Sequence, residues 1–128
     1  MIERLKSEHR DFESRLFQIE ESSRTNLEQT IEMLRDLGKS ILRHAVEEEA
    51  RILRVIMQKA KDRSEQSIKV MQEHRQIIEF LDKTVSQLKA FSQEESVKKI
   101  KKFVDGSTKH FSEEEEIVFP LALKADSM

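Results

Sequence analysis

The histidines of this chain fall into one pattern that is written twice. Each half has a lone histidine inside a Glu-His-Arg triplet, followed thirty-five or thirty-six residues later by the histidine of a His-x-x-x-Glu sequence. Imidazole nitrogens and carboxylate oxygens are donors that suit iron, manganese and zinc. The pattern therefore offers six candidate metal ligands, which are His9, His44, Glu48, His74, His110 and Glu114.

The spacing of each His-x-x-x-Glu sequence places both side chains on one face of a helix. A carboxylate has two oxygens and can bridge two metal ions, whereas an imidazole binds one. Two bridging glutamates and four terminal histidines therefore predict a dinuclear centre with two histidines for each metal ion. Because the two carboxylates carry only −2 against two divalent or trivalent cations, we expect an oxide or hydroxide bridge to share the charge.

The elements that must position these ligands are helices. The chain of 128 residues has two glycines, one proline, no tryptophan and no tyrosine, and strong helix formers dominate it. Apolar residues recur at helical spacing in four segments, and each apolar stripe contains one of the histidines. Short connections between long helices predict an all-α fold, an antiparallel up-down-up-down four-helix bundle. Its length predicts a single domain over residues 1–128.

Polar residues mark the expected helix boundaries. Ser22 or Ser23 can cap the second helix. Asp62 with Glu65, and Ser92 with Glu95, have the spacing of capping boxes for the third and fourth helices. Pro120 should end or kink the last helix, because proline lacks the backbone N–H that a helix interior needs.

Charge and composition exclude several classes of function. The net charge is −2 with both signs mixed along the chain, so we expect no nucleic-acid partner, and we interpret the lysines of residues 98–102 as a solvated helix face. No apolar run reaches membrane-spanning length, and the first residues lack a signal-peptide core. The absence of cysteine excludes disulfides, zinc–thiolate sites and iron–sulfur ligation. These features predict a cytoplasmic protein without a membrane partner.

Residues beside the candidate ligands allow more than one interpretation. Glu13 lies four residues after His9 and could join the site, but its counterpart in the second half is Ile78, so the repeat does not support it. Gly106 and Ser107 lie one turn before a candidate ligand, where the glycine could serve close packing or leave space for a small ligand. Two pairs of recurring glutamates could hydrogen-bond the histidines, although we favour solvation for them: Glu8 with Glu73, and Glu47 with Glu113.

At these residues the chain resembles the hemerythrin-like, or HHE cation-binding, proteins. The resemblance covers nearly all of the sequence, and the segment from His110 to Pro120, with its acidic run before Phe-Pro, is similar to the family's closing helix. Oxygen-carrying hemerythrins have a fifth histidine where this chain has Ile78, and they end with His-x-x-x-x-Asp. The set of four histidines and two glutamates instead resembles the di-iron proteins implicated in repair of iron–sulfur clusters under nitrosative stress.

The resemblance implies a non-haem di-iron protein with two Fe²⁺ or Fe³⁺ ions, although manganese or zinc is possible. Without a fifth histidine both metals are comparably open, which favours oxidation to a bridged ferric state over reversible oxygen carriage. The leading hypothesis is a protein that binds or senses O₂, NO or peroxide in oxidative or nitrosative stress. Two alternatives are a redox enzyme, such as a peroxidase or an iron donor for cluster repair, and a metal-free interaction bundle. The sequence identifies no protein partner.

Overall fold

Four long helices account for nearly all of the protein in the computed structural model, which describes residues 1–127. Met128, the last residue of the predicted domain, lies outside the described residues. Helix α1 is Ile2–Ser22. Helix α2 runs through Leu27–Glu48, a π-helical turn at Glu49–Leu53 and Arg54–Lys59. Helix α3 runs through Ser64–Glu79, a π turn at Phe80–Thr84 and Val85–Gln87. Helix α4 runs through Gln93–Glu113, a π turn at Glu114–Val118 and Phe119–Asp126. The predicted all-α four-helix bundle is confirmed.

Short 3₁₀ turns at Lys61–Arg63 and Leu88–Ala90 complete the connections around α3. Two of the predicted boundaries need correction. Asn26 caps α2 by accepting a hydrogen bond from the Gln29 N–H at 3.1 Å. The predicted caps, Ser22 and Ser23, do not have this role. Arg63 precedes α3 without a side-chain cap, so the predicted capping box there is wrong. The box at the start of α4 is present in part, since the Ser92 hydroxyl accepts from the Glu95 N–H at 3.2 Å.

Pro120 does not end α4, which was one of the two effects that the sequence predicted for it. It follows the π turn at Glu114–Val118 and lies in the first turn of the last α-helical segment, which continues to Asp126. Proline is tolerated in the first turn of a helical segment, because the N–H group that it lacks would have no acceptor within that segment. Among residues 1–127, every helix is too short or too polar to cross a lipid bilayer.

The core consists of two apolar clusters separated by a polar layer. The larger cluster contains Phe12, Ile41 and Ile77, and the smaller one contains Leu5 and Val70. Along α1, α2 and α3, a histidine lies between a residue of one cluster and a residue of the other. The same holds in α4, where His110 and Glu114 lie between Val104 and Val118. All four helices thus deliver their polar residues to one level of the bundle.

Candidate metal centre

The six predicted ligands meet in this polar layer. Each of these residues is at most 3% exposed, although four carry imidazoles and two carry carboxylates. The ligand atoms of His9, His44, Glu48 and Glu114 all lie within 4.8 Å of one another, and so do those of His74, His110 and Glu114. The structure therefore brings together every residue of the predicted set, as two histidine pairs that share a carboxylate.

The two carboxylates lie between the histidine pairs. Glu48 places its Oε2 atom 3.3 Å from His44 Nε2 and its Oε1 atom 3.1 Å from His74 Nε2. The Oε1 atom of Glu114 lies 3.7 Å from His74 Nε2 and also contacts His110 Nε2. Glu48 thus turns one oxygen toward each half of the site, which is the arrangement that a bridging carboxylate requires.

Most of these close contacts lack the alignment of a hydrogen bond. Both oxygens of Glu48 and of Glu114, and the Nε2 atoms of His74 and His110, are buried without a hydrogen-bond partner among the described residues. An orphaned buried polar group costs about 1–3 kcal/mol, and more when it is charged. Donor atoms that are close together, yet do not point at each other, fit coordination of a cation between them. The donor set thus fits a metal ion of the kind bound by nitrogen and oxygen.

Each histidine is oriented by a glutamate carboxylate, which binds the Nδ1 side of the ring. The Nδ1–H groups of the four rings donate to glutamate oxygens over 2.7 to 3.0 Å, which turns each Nε2 atom toward the centre, where the Nε2 atoms of His9 and His44 lie 3.1 Å apart at hydrogen-bond distance. The pairs are His9 with Glu115, His44 with Glu8, His74 with Glu49, and His110 with Glu73. Each pair joins different helices, so the hydrogen bonds also fix the relative positions of the helices around the site.

The internal repeat of the sequence extends to these orienting glutamates. His9 and His74 are 65 positions apart, whereas His44 and His110 are 66 apart. With these offsets, Glu8 corresponds to Glu73 and Glu49 corresponds to Glu115, and corresponding glutamates bind corresponding histidines. The centre therefore has an approximate twofold symmetry in both its ligands and their supports.

Sequence reasoning misjudged some of the supporting residues. Glu8 and Glu73, for which solvation was favoured, hydrogen-bond histidines. Glu47 and Glu113 do not, and instead pair at the surface with a basic residue one helix away, Arg4 and Lys69 respectively. Glu13 pairs with Arg10 at 3.1 Å and does not reach the site.

The π turns explain why Glu49 and Glu115 were missed. One begins at Glu49 and the other at Glu114, directly where the ligand carboxylates leave the regular α-helix. In a regular helix, a residue next to an inward-facing ligand points to a different side. A π turn changes this relation and is common at functional sites. The repeat marks both residues as candidates, since each directly follows a candidate ligand, but it marks Glu47 and Glu113 equally and does not select between them.

The protonation pattern separates the histidines. Burial and the neighbouring His44 lower the pKa of His9 to about 3, so this ring is neutral. It packs between Phe111 and Phe119, with ring centroids 4.6 and 5.7 Å away. Burial would also lower the pKa of His74, but the carboxylates of Glu114 and Glu48 outweigh it and raise that pKa to about 10.

The pKa values of the two ligand glutamates, Glu48 and Glu114, shift in opposite directions. Burial raises the pKa of Glu114, and so does its contact with Glu48. Burial acts in the same direction on Glu48, but contacts with the Glu114 carboxyl and with His44 and His74 lower its pKa below the usual range. Protons on the histidines thus compensate the buried negative charge, a task that bound cations can also perform.

Comparison with known proteins agrees with this geometry. No curated protein and no solved structure matches the chain significantly. A family model does: residues 1–122 match the hemerythrin HHE cation binding domain, and the chain therefore belongs to this family.

Proposed function

We propose that the six residues hold two iron ions and that the resulting centre binds or senses O₂, NO or peroxide in oxidative or nitrosative stress. The observation that carries this proposal is the position of Glu48, whose two oxygens face one histidine of each pair. The second support is the symmetry of the site, in which each group of candidate ligand atoms contains two histidines and Glu114. Ferrous iron with an unfilled coordination position supplies the chemistry for binding such small molecules.

The protein residues have distinct parts in this function. The four histidines would hold the metal ions through Nε2, and their glutamate partners keep each ring in the required tautomer and orientation. Glu48 and Glu114 would supply carboxylate oxygens to the same centre. The apolar clusters on either side of the layer exclude bulk water, which strengthens the interaction of the buried carboxylates with a cation.

Metal analysis tests the proposal directly. After anaerobic reconstitution with Fe²⁺, we expect two iron ions per chain and, on exposure to air, the absorption bands of a bridged ferric pair. His74→Ala should lower the iron content without preventing folding, whereas Glu13→Ala, outside the site, should leave it unchanged. Fewer than one iron ion per reconstituted wild-type chain would contradict a di-iron centre.

A redox enzyme at the same site is the second candidate. It is favoured by one observation: His110 lines a surface groove of about 620 Å³, through which a reductant or substrate could approach. Steady-state reduction of peroxide that is lost in His44→Ala and in Glu114→Ala, with both variants folded, would establish turnover. Binding of the same small molecules without turnover would favour the binding or sensing function.

A metal-free interaction bundle makes opposite predictions about stability. In that function the buried imidazoles cost desolvation free energy and hold no metal in return, so His110→Leu should stabilise the fold. With a metal, the same substitution removes a ligand, and the melting temperature of the reconstituted protein should fall. Thermal denaturation of His110→Leu and wild type, with and without Fe²⁺, separates the two functions.

A further inference from the structure

The groove beside His110 runs between α3 and α4. Its apolar wall includes Ile77, Phe80 and Phe103, and the rings of the two phenylalanines stack with centroids 4.2 Å apart. Gly106 also lines the groove, and a Cβ atom added there would meet nothing within 4 Å. Close packing therefore does not explain this glycine, which leaves open space. The buried Ser107 hydroxyl lies in the same wall and has no hydrogen-bond partner among residues 1–127.

The corresponding place in the first half of the protein is filled. In α2 the positions of Gly106 and Ser107 are taken by Ser40 and Ile41. The Ser40 hydroxyl accepts a hydrogen bond from Arg15 Nη1 at 3.1 Å, and Ile41 is 2% exposed within the larger apolar cluster. The approximate symmetry of the centre thus ends at the surface, where only the second half has these small residues.

Helix α3 contributes to the same difference. Its π turn at Phe80–Thr84 starts at the aromatic residue that lines the groove, whereas the matching part of α1 is regular α-helix. Arg15 occupies the position that corresponds to Phe80. The second half therefore has an aromatic wall where the first half has the hydrogen bond between Arg15 of α1 and Ser40 of α2.

Lysines give the groove a positive edge. Lys99, Lys102 and Lys109 follow one face of α4 on both sides of Gly106. None of them takes part in the ion pairs formed by the described residues, and the Lys99 ammonium lies 4.7 Å from the ring centre of Phe91, which is not among the residues that line the groove. In the first half, Asp36 stands at the position of Lys102. Met33 stands at the position of Lys99 and Arg43 at that of Lys109, so the positive charges of Lys99 and Lys102 accompany the open groove and are not repeated at the filled site.

The acidic residues of the groove are already engaged. Glu73 accepts the Nδ1–H of His110 at 2.9 Å, and Glu113 pairs with Lys69 at 3.4 Å. They leave the lysine edge uncompensated. An occupant that complements this groove has a negative group for the lysines and an apolar body for the aromatic wall.

We propose that the groove binds an amphipathic organic monoanion, of the class of medium-chain carboxylates. The carboxylate lies at the edge formed by Lys99, Lys102 and Lys109, and the alkyl chain lies along Phe80 and Phe103. Residues 99 and 107 are about 12 Å apart along a helix that rises about 1.5 Å per residue, which suits a chain of this class. The groove reaches the proposed metal ligand His110, but the residues that recognise this occupant are not proposed metal ligands, and its binding does not depend on the metal's identity.

Decanoate is the probe for this site. Titration calorimetry with the full chain should show saturable binding of one decanoate. Lys102→Glu should weaken it about tenfold or more, the effect of losing one charge-assisted contact. Lys39→Glu makes the same charge change on an exposed part of α2 and should leave the affinity unchanged. Gly106→Ser combined with Ser107→Ile, which copies the first half, should also reduce binding about tenfold or more.

Several outcomes would overturn the proposal. One is equal weakening by Lys39→Glu and Lys102→Glu, which indicates a general effect of net charge. Another is equally tight binding of decyltrimethylammonium, which indicates apolar adsorption without recognition of the carboxylate. A third is full affinity in the Gly106→Ser/Ser107→Ile variant when circular dichroism shows the native helix content. Amide chemical-shift changes confined to Gly106 and its neighbours, with none at Ser40, would support it.

Discussion

Replacement of Glu49 by alanine should weaken metal binding strongly, although Glu49 is not a proposed ligand. Its Oε2 atom accepts the Nδ1–H of His74 at 3.0 Å and so orients the Nε2 atom of that ring. Loss of such a supporting carboxylate typically lowers metal affinity about 10- to 100-fold, which corresponds to about 1.4–2.7 kcal/mol. Glu49→Gln retains an oxygen acceptor and should lose less.

Glu47 provides a matched control on the same helix. It also flanks Glu48, but it pairs with Arg4 at the surface and contacts no histidine. An exposed ion pair contributes about 0–1 kcal/mol to stability, so Glu47→Ala should leave metal affinity nearly unchanged. The assay is anaerobic competition for Fe²⁺ against a chelator of known affinity, with helix content checked by circular dichroism. Equal losses in Glu47→Ala and Glu49→Ala would refute the orienting part assigned to Glu49.

Three further predictions concern the whole centre and the two glycines. Chelation should lower the melting temperature of the metal-loaded protein, because a metal present at 100 times its dissociation constant adds about 2.7 kcal/mol; an unchanged melting temperature would argue against a metal bound by the native state. The raised pKa of His74, about 10, stabilises the metal-free fold below pH 6.5, and this contribution is lost as pH rises through 10. Metal binding at pH 7 should therefore release at least one proton, detectable with an indicator dye in weak buffer, and tighten as pH rises; binding without proton release would contradict this protonation state. Gly106→Ala should stabilise the protein by about 0.5–1 kcal/mol in urea denaturation, and Gly38→Ala by at least as much, because its added Cβ would make an ordinary van der Waals contact with Leu81 Cδ1 at 3.4 Å; a loss of stability in Gly38→Ala would refute this.

The helices and the meeting of the six polar residues could be predicted from the sequence because both depend on periodicity. An apolar stripe fixes which side of a helix faces the core, and a histidine within the stripe must then be buried. His9, His44, His74 and His110 all follow this logic, and each is at most 3% exposed. Their role as metal ligands stays a prediction that reconstitution will test.

The orienting glutamates could not be assigned in the same way. Glu47 and Glu49 both flank a candidate ligand in a run of three glutamates, and the repeat contains a counterpart of each. Which one reaches a histidine depends on a π turn and on the placement of the neighbouring helix. Neither feature leaves a periodic trace in the sequence. The cap at Asn26 was missed for a related reason, since several polar residues near that turn can accept a backbone N–H.

The symmetry of the buried layer and the asymmetry of the surface have different physical origins. In the buried layer, each proposed metal position needs its own nitrogen and oxygen donors, so the candidate ligands recur in both halves, as one group of four ligand atoms and one of three. At the surface no such requirement applies, and the two halves differ at Gly106 and Ser107. An exogenous molecule therefore meets two proposed metal positions, each with two histidines, through unequal approaches, with the open groove on the side of His110. On this basis, access and charge at the groove would contribute to any difference in reactivity between the two positions.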